Sequence, residues 1–146
     1  WVREHCHVTT DPAQTIVGGS SAGGLAAGFV ALEYPDIFGN VLSQSGAFRW
    51  TPPDIKEHEW LAQQFATREK LPRKFYIEAG TLEVNSLLDL GDGPNLIVSN
   101  RHMRNVLQAK GYEVHYTEFA GGHDYLCWRG TLSDGLCALI GKESKL

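Results

Sequence analysis

The chain has 146 residues, a net charge of −4, and 42% hydrophobic against 21% charged residues, enough for one domain with its own core and too apolar for a disordered segment. The negative balance removes the electrostatic basis for binding nucleic acid; no apolar run approaches the roughly 20 residues of a membrane span, and no signal peptide is visible. Three cysteines, Cys6, Cys127 and Cys137, are odd in number and lack metal spacing, which fits buried or reduced thiols in a cytosolic protein better than a disulfide framework.

Trp1 to Cys6 has no initiating Met and reads as the tail of a helix. Thr10-Asp11-Pro12 is a turn, and Thr15 to Val17 is a first, β-branched strand that stops at small residues. A helix follows Ser21 and runs to about Tyr34, where Tyr34-Pro35-Asp36 ends it, because the residue before proline avoids helical geometry. Asn40 to Ser43 is a second strand, and Gln44 to Pro53 a loop carrying Phe48, Arg49 and Trp50. Glu57 to Thr67 has helical spacing through Trp60, Leu61 and Phe65. Lys74 to Ala79 is a third strand ending in Gly80, residues 81–95 suit a loop, and Leu96 to Lys110 is a helix stopped by Gly111. Tyr112 to Phe119 is a fourth strand. After Gly121-Gly122-His123, a last helix runs from about Tyr125 to Ile140. Alternating strands and helices predict an α/β fold, a mostly parallel sheet with helices on both faces. Functional groups in such sheets collect beyond the carboxyl ends of the strands.

Gly19-Ser20-Ser21-Ala22-Gly23 fits G-x-S-x-G, a strand-to-helix turn that lifts a serine oxygen above the end of a sheet. The backbone there is cramped, so residues two positions either side are expected to be small. The turn also sets helix N-terminal N–H groups beside the serine, where charge develops on a carbonyl oxygen. A Gly/Ser loop that binds phosphate or merely turns the chain gives the same pattern. Ser20 is an alternative nucleophile, but a frame centred on it would need glycine at Ala22.

His123 is the candidate base. It follows a strand in a loop of small residues, and an imidazole takes and returns a hydroxyl proton near neutral pH. The other five histidines lie within or beside predicted helices and strands. Several acids lie on or after the third strand: Glu78, Glu83, Asp89 and Asp92. Glu83, just past Gly80, either turns back toward His123 to fix its tautomer or is a solvated loop carboxylate; Glu78 lies inside the strand, where an acid pairs structurally. The order Ser…Glu…His is the chain order of α/β-hydrolases. Asp124 would point elsewhere. Trp128 and Arg129 open the last helix, either as a pair that stacks on and charge-pairs with an aromatic or anionic substrate, or as core packing and a structural ion pair.

Gly-Gly-Ser-Ser-Ala-Gly-Gly at 18–24, Val-Leu-Ser-Gln-Ser-Gly at 41–46, Glu-Ala-Gly at 78–80 and Gly-Gly-His-Asp-Tyr-Leu-Cys-Trp-Arg-Gly at 121–130 resemble the esterase-D-like group of α/β-hydrolases. Within it they are most similar to enterochelin-esterase-type enzymes that open ferric siderophores. The resemblance spans nearly the whole chain. It implies hydrolysis of the ester bonds of a catecholate trilactone, releasing iron in the cytoplasm, with iron entering only as part of the substrate and no metal or organic cofactor required. By position it makes Ser21 the nucleophile, His123 the base, Glu83 the acid in a slot where relatives often carry aspartate, and Ala22 an oxyanion-hole N–H donor. Trp128 and Arg129 fall near the substrate. Some relatives work with a serine–histidine pair alone. Members of this group carry further strands, and the second oxyanion donor, before the turn. The chain is thus expected to be a single catalytic domain over 1–146 that lacks its N-terminal strands, the C-terminal portion of the fold, with the missing part as a partner and one sheet edge uncovered.

Two other functions share these features: a feruloyl or general carboxylesterase, and a non-catalytic binding or scaffold module that keeps the turn without the chemistry.

Overall fold

The computed structural model describes residues 1–83 and 94–141. Its elements are α1 (Val2–His5), a 3-10 turn (Pro12–Gln14), β1 (Ile16–Ser20), α2 (Ala22–Glu33), β2 (Asn40–Gln44), α3 (Trp60–Thr67), β3 (Lys74–Gly80), α4 (Leu96–Ala109), β4 (Glu113–Phe119) and α5 (Tyr125–Ile140). The four strands form one parallel sheet in the order β1-β2-β3-β4.

Because spatial order equals chain order, the three crossovers deliver α2, α3 and α4 to the same face. There Ala27 and Ala31 of α2, Leu61 and Phe65 of α3, and Met103 and Leu107 of α4 pack on Val41, Phe75 and Ile77. The alternate residues Leu42 and Tyr76 point the other way, against Leu139 of α5. With this two-residue period both faces of β2 and β3 are covered, and every residue of β2 is buried. The expected parallel sheet with helices on both faces is what the chain forms.

Two boundaries and one burial differ from the sequence reading. β1 continues through Gly18-Gly19 to Ser20, because ladder pairing of Gly18 with Leu42 and Gly19 with Ser43 overrides the poor strand propensity of glycine. α3 begins at Trp60 rather than Glu57, since Glu59 before it takes φ 60°, outside the right-handed helical region. The cysteines are free as expected, but Cys6 and Cys137 are exposed rather than buried. No helix among the described residues is long and apolar enough to cross a membrane.

A cavity of about 800 Å³ touches Asn40, Lys74 and Glu113, the first residues of β2, β3 and β4. It therefore lies at the amino rim of the sheet. Ser21, Ser45, Glu83 and His123 all lie past the carboxyl ends of their strands, at the opposite rim.

Candidate active site

Ser21 caps α2 with φ 57° and ψ −122°, a conformation rare for residues with a side chain. Such strain costs on the order of 1–3 kcal/mol and persists only where the surroundings over-determine it. Here the backbone is clamped on both sides: the Ser21 N–H donates to the Gln44 carbonyl at 2.9 Å, and the Ser21 carbonyl accepts from the Ala47 N–H at 3.0 Å. Small residues are required, though not at both expected positions. A side chain on Gly19 would lie 2.6 Å from the Gly23 carbonyl carbon. Gly23 itself faces open space, and Gly24 is the second tight position, where an added Cβ would sit 2.5 Å from Ser43 Oγ. Ala22 is the first residue of α2, where a helix leaves its N–H without an intrahelical partner.

The loop after β4 brings His123 back across 102 residues to Ser21, with Nε2 2.9 Å from Oγ. With the ring proton on Nδ1, Nε2 accepts the Ser21 hydroxyl. Asp124 does point elsewhere: it caps α5, accepting from the Leu126 N–H at 2.9 Å and the Cys127 N–H at 3.0 Å. The Cys127 backbone N–H above all, together with its thiol, holds the Asp124 carboxyl below its ordinary range. Donation to Asp124 in turn pushes the Cys127 thiol up, away from thiolate chemistry.

Glu83 is no solvated loop carboxylate. Its side chain is fully buried, and its Oε1 lies 3.6 Å from His123 Nδ1, within ion-pair range and beyond a hydrogen bond. Neither His123 Nδ1 nor Glu83 Oε2 has a hydrogen-bond partner among the described residues. Glu78 sits inside β3 on the α5 face and is also fully buried; it accepts from Gln44 Nε2 at 2.8 Å, from the Tyr76 hydroxyl at 3.0 Å and from Thr131 Oγ1. That carboxylate pushes the Tyr76 hydroxyl up, after burial as the larger cause. Asp89 and Asp92 lie outside the described residues.

Of the two readings of Trp128, the structure takes core packing. It is only 6% exposed, meets the His123 ring edge-to-face at 4.8 Å between centroids, and donates its indole N–H to Ser45 Oγ at 3.0 Å. One turn into α5, its direction is set by the helix face that rests on the sheet. Its neighbour Arg129 is exposed on the other side. In the loop after β2, Phe48 is core and Trp50 is 45% exposed; Trp50 joins Ala22, Leu25, Ala26, Phe29 and Trp60 around an apolar notch of about 220 Å³ beside the Ser21 turn.

The residue missed by sequence reasoning is Ser45. Its hydroxyl donates to Glu83 Oε1 at 2.6 Å while accepting from Trp128. A signal was present: Ser45-Gly46 follows the end of β2 as Ser21 follows the end of β1, at the rim where functional groups collect.

A serine oxygen on a strained strand-to-helix turn, an imidazole in reach of it and a buried carboxylate behind the imidazole lie together at the carboxyl rim of a parallel sheet, and the fold is that of an α/β-hydrolase. The chain belongs to the Esterase family, whose model matches residues 1–139. It is 37% identical over 141 residues to an iron(III) enterobactin esterase of Dickeya dadantii, covering 89% of this chain and 30% of that protein. It also superposes on the enterobactin esterase FES of Shigella flexneri, solved in the presence of enterobactin, with TM-score 0.77 and 30% identity over 94% of this chain and 33% of that one. A fluorophosphonate-binding serine hydrolase of Staphylococcus aureus, FphF, shares the fold at TM-score 0.74 and 16% identity, over 97% of this chain and 60% of that one. The chain spans about a third of the length of the enterobactin esterases it matches.

Proposed function

We propose that this chain carries the catalytic centre of a serine esterase that hydrolyses ester bonds of a catecholate siderophore of the enterobactin type, a small-molecule substrate met in the cytoplasm. The observation that carries the reading is the 2.9 Å approach of His123 Nε2 to Ser21 Oγ at a strained turn. The similarity to iron(III) enterobactin esterases supports the choice of substrate. Ser21 Oγ attacks the ester carbonyl as its proton passes to His123 Nε2. The oxyanion gathers charge beside the Ala22 N–H and the positive end of α2. Collapse of the tetrahedral adduct expels the alcohol, which takes the proton from Nε2. Water then gives a proton to Nε2, its oxygen attacks the acyl-serine, and Ser21 leaves with that proton. Glu83 holds the imidazole in the required tautomer and stabilises the imidazolium without taking its proton. We assign Arg129, exposed at the start of α5, as the cation that pairs with an anionic substrate.

The test compares turnover of a catecholate trilactone with that of simple aryl esters, following product acids by chromatography. The proposal expects the trilactone to be preferred and Ser21→Ala to abolish turnover. Preference for simple aryl esters by orders of magnitude would assign a general carboxylesterase instead, and an active Ser21→Ala variant would remove the nucleophile assignment.

A further inference from the structure

We infer that Ser45 is a positioning residue of this site, acting on His123 through Glu83; the inference rests on the serine-esterase reading above. Ser45 is fully buried and adopts φ 50° in the left-handed region, where glycine is the low-cost residue. A serine held there keeps a hydroxyl at the expense of backbone strain. The loop is fixed around it: the Ser45 N–H donates to the Glu78 carbonyl at 2.7 Å, and Asn100 Nδ2 donates to the Gly46 carbonyl at 2.8 Å. The hydroxyl is fixed from both directions as well, taking the Trp128 indole N–H at 3.0 Å and giving its own proton to Glu83 Oε1 at 2.6 Å.

The consequence is geometric. Glu83 Oε1 is the same oxygen that faces His123 Nδ1 at 3.6 Å. Ser45 therefore anchors the carboxylate oxygen that orients the base, and Trp128 locks both ends of the arrangement, bonding Ser45 while its ring packs on His123. Without the hydroxyl, Glu83 would have no hydrogen-bond donor among the described residues. It would turn, and the imidazole would lose its fixed aim. Displacement of about 1 Å at such a site costs about 100-fold in rate.

The experiment measures two quantities on Ser45→Ala and Ser45→Gly: steady-state kcat and KM, and the rate of fluorophosphonate labelling of Ser21. The glycine variant suits the left-handed backbone and keeps the test valid if the alanine variant folds poorly. We expect kcat to fall about 10- to 100-fold with KM changed less than about threefold. We expect fluorophosphonate labelling of Ser21 to slow by a similar factor. Trp128→Phe, which keeps the ring and loses the donor, should cost about fivefold. In a Glu83→Ala background, Ser45→Gly should add nothing. Wild-type protein that fails to label at Ser21 would overturn the esterase reading itself. Wild-type protein that labels, with Ser45 variants that label as fast or add their full effect to Glu83→Ala, would overturn the positioning role alone.

Discussion

Glu78 and Glu83 lie five residues apart, both fully buried, and their surroundings differ in one respect. Glu78 is saturated: Gln44, Tyr76 and Thr131 all donate to it, and it ties β3 to β2 and α5. Among the described residues Glu83 is undersupplied, with Ser45 alone donating to Oε1, no partner on Oε2, and an imidazole at 3.6 Å. A buried carboxylate with all its acceptor sites filled serves the fold. One left short of donors retains capacity to stabilise a charge that appears during a reaction. The contrast predicts that substitution at Glu83 lowers rate and substitution at Glu78 lowers stability.

The largest effect is expected at Glu83. Glu83→Gln preserves shape and removes the charge, and should lower kcat about 10²- to 10⁴-fold while leaving Tm unchanged or raised, because an incompletely paired buried charge is lost. Thermal unfolding beside steady-state kinetics checks both halves; a large fall in Tm would place Glu83 with Glu78. At Glu78 the pattern should invert. Glu78→Gln puts an amide N–H₂ against donors that need an acceptor, and should cost about 1–3 kcal/mol in denaturant unfolding with labelling of Ser21 changed less than about threefold. The smallest effect belongs to a third carboxylate, Glu118, which is well supplied but partly exposed. Arg101 grips it at 2.6 and 2.7 Å, the Tyr116 hydroxyl donates at 2.8 Å, and Arg101 above all holds its carboxyl down to about 2 from an ordinary 4.5. A lowered folded-state pKa gives stability that is complete above 4.5 and is lost as pH falls from 4.5 to about 2. Solvent screening keeps it within about 1 kcal/mol. Glu118→Gln should therefore flatten that acid window of the unfolding curve and change little at neutral pH.

The difference between the two buried acids was only half legible in the sequence. Glu78, inside a strand, reads as structural, and Glu83, just past the strand, reads as the acid for His123. Ser21 and His123 were legible because a turn motif and a chain order leave local traces: small residues, a strand end, a helix start. All four strands were legible from apolar runs bounded by turn residues. What decides between the acids, the supply of hydrogen-bond donors, comes from residues far along the chain. Ser45 meets Glu83 across 38 positions and Trp128 across 83, and its left-handed backbone hides behind a residue type that gives no sign of it. Whether Trp128 stacks on substrate or packs in the core stayed open in the sequence for a related reason. Tyr125 and Leu126 beside it are exposed, so local composition does not show which face of α5 rests on the sheet. Gly23 and Gly24 show the same limit, since the motif marks the first and packing against Ser43 requires the second.

The central claim is that Ser21 and His123 work as a nucleophile and its base. The most direct measurement is peptide mapping by mass spectrometry after reaction with a fluorophosphonate, on the wild-type protein and on His123→Ala. The account predicts one adduct on the wild-type chain, on Ser21, with labelling slowed by several orders of magnitude in His123→Ala. An adduct on Ser20, no adduct at all, or equal labelling of the two proteins would contradict it.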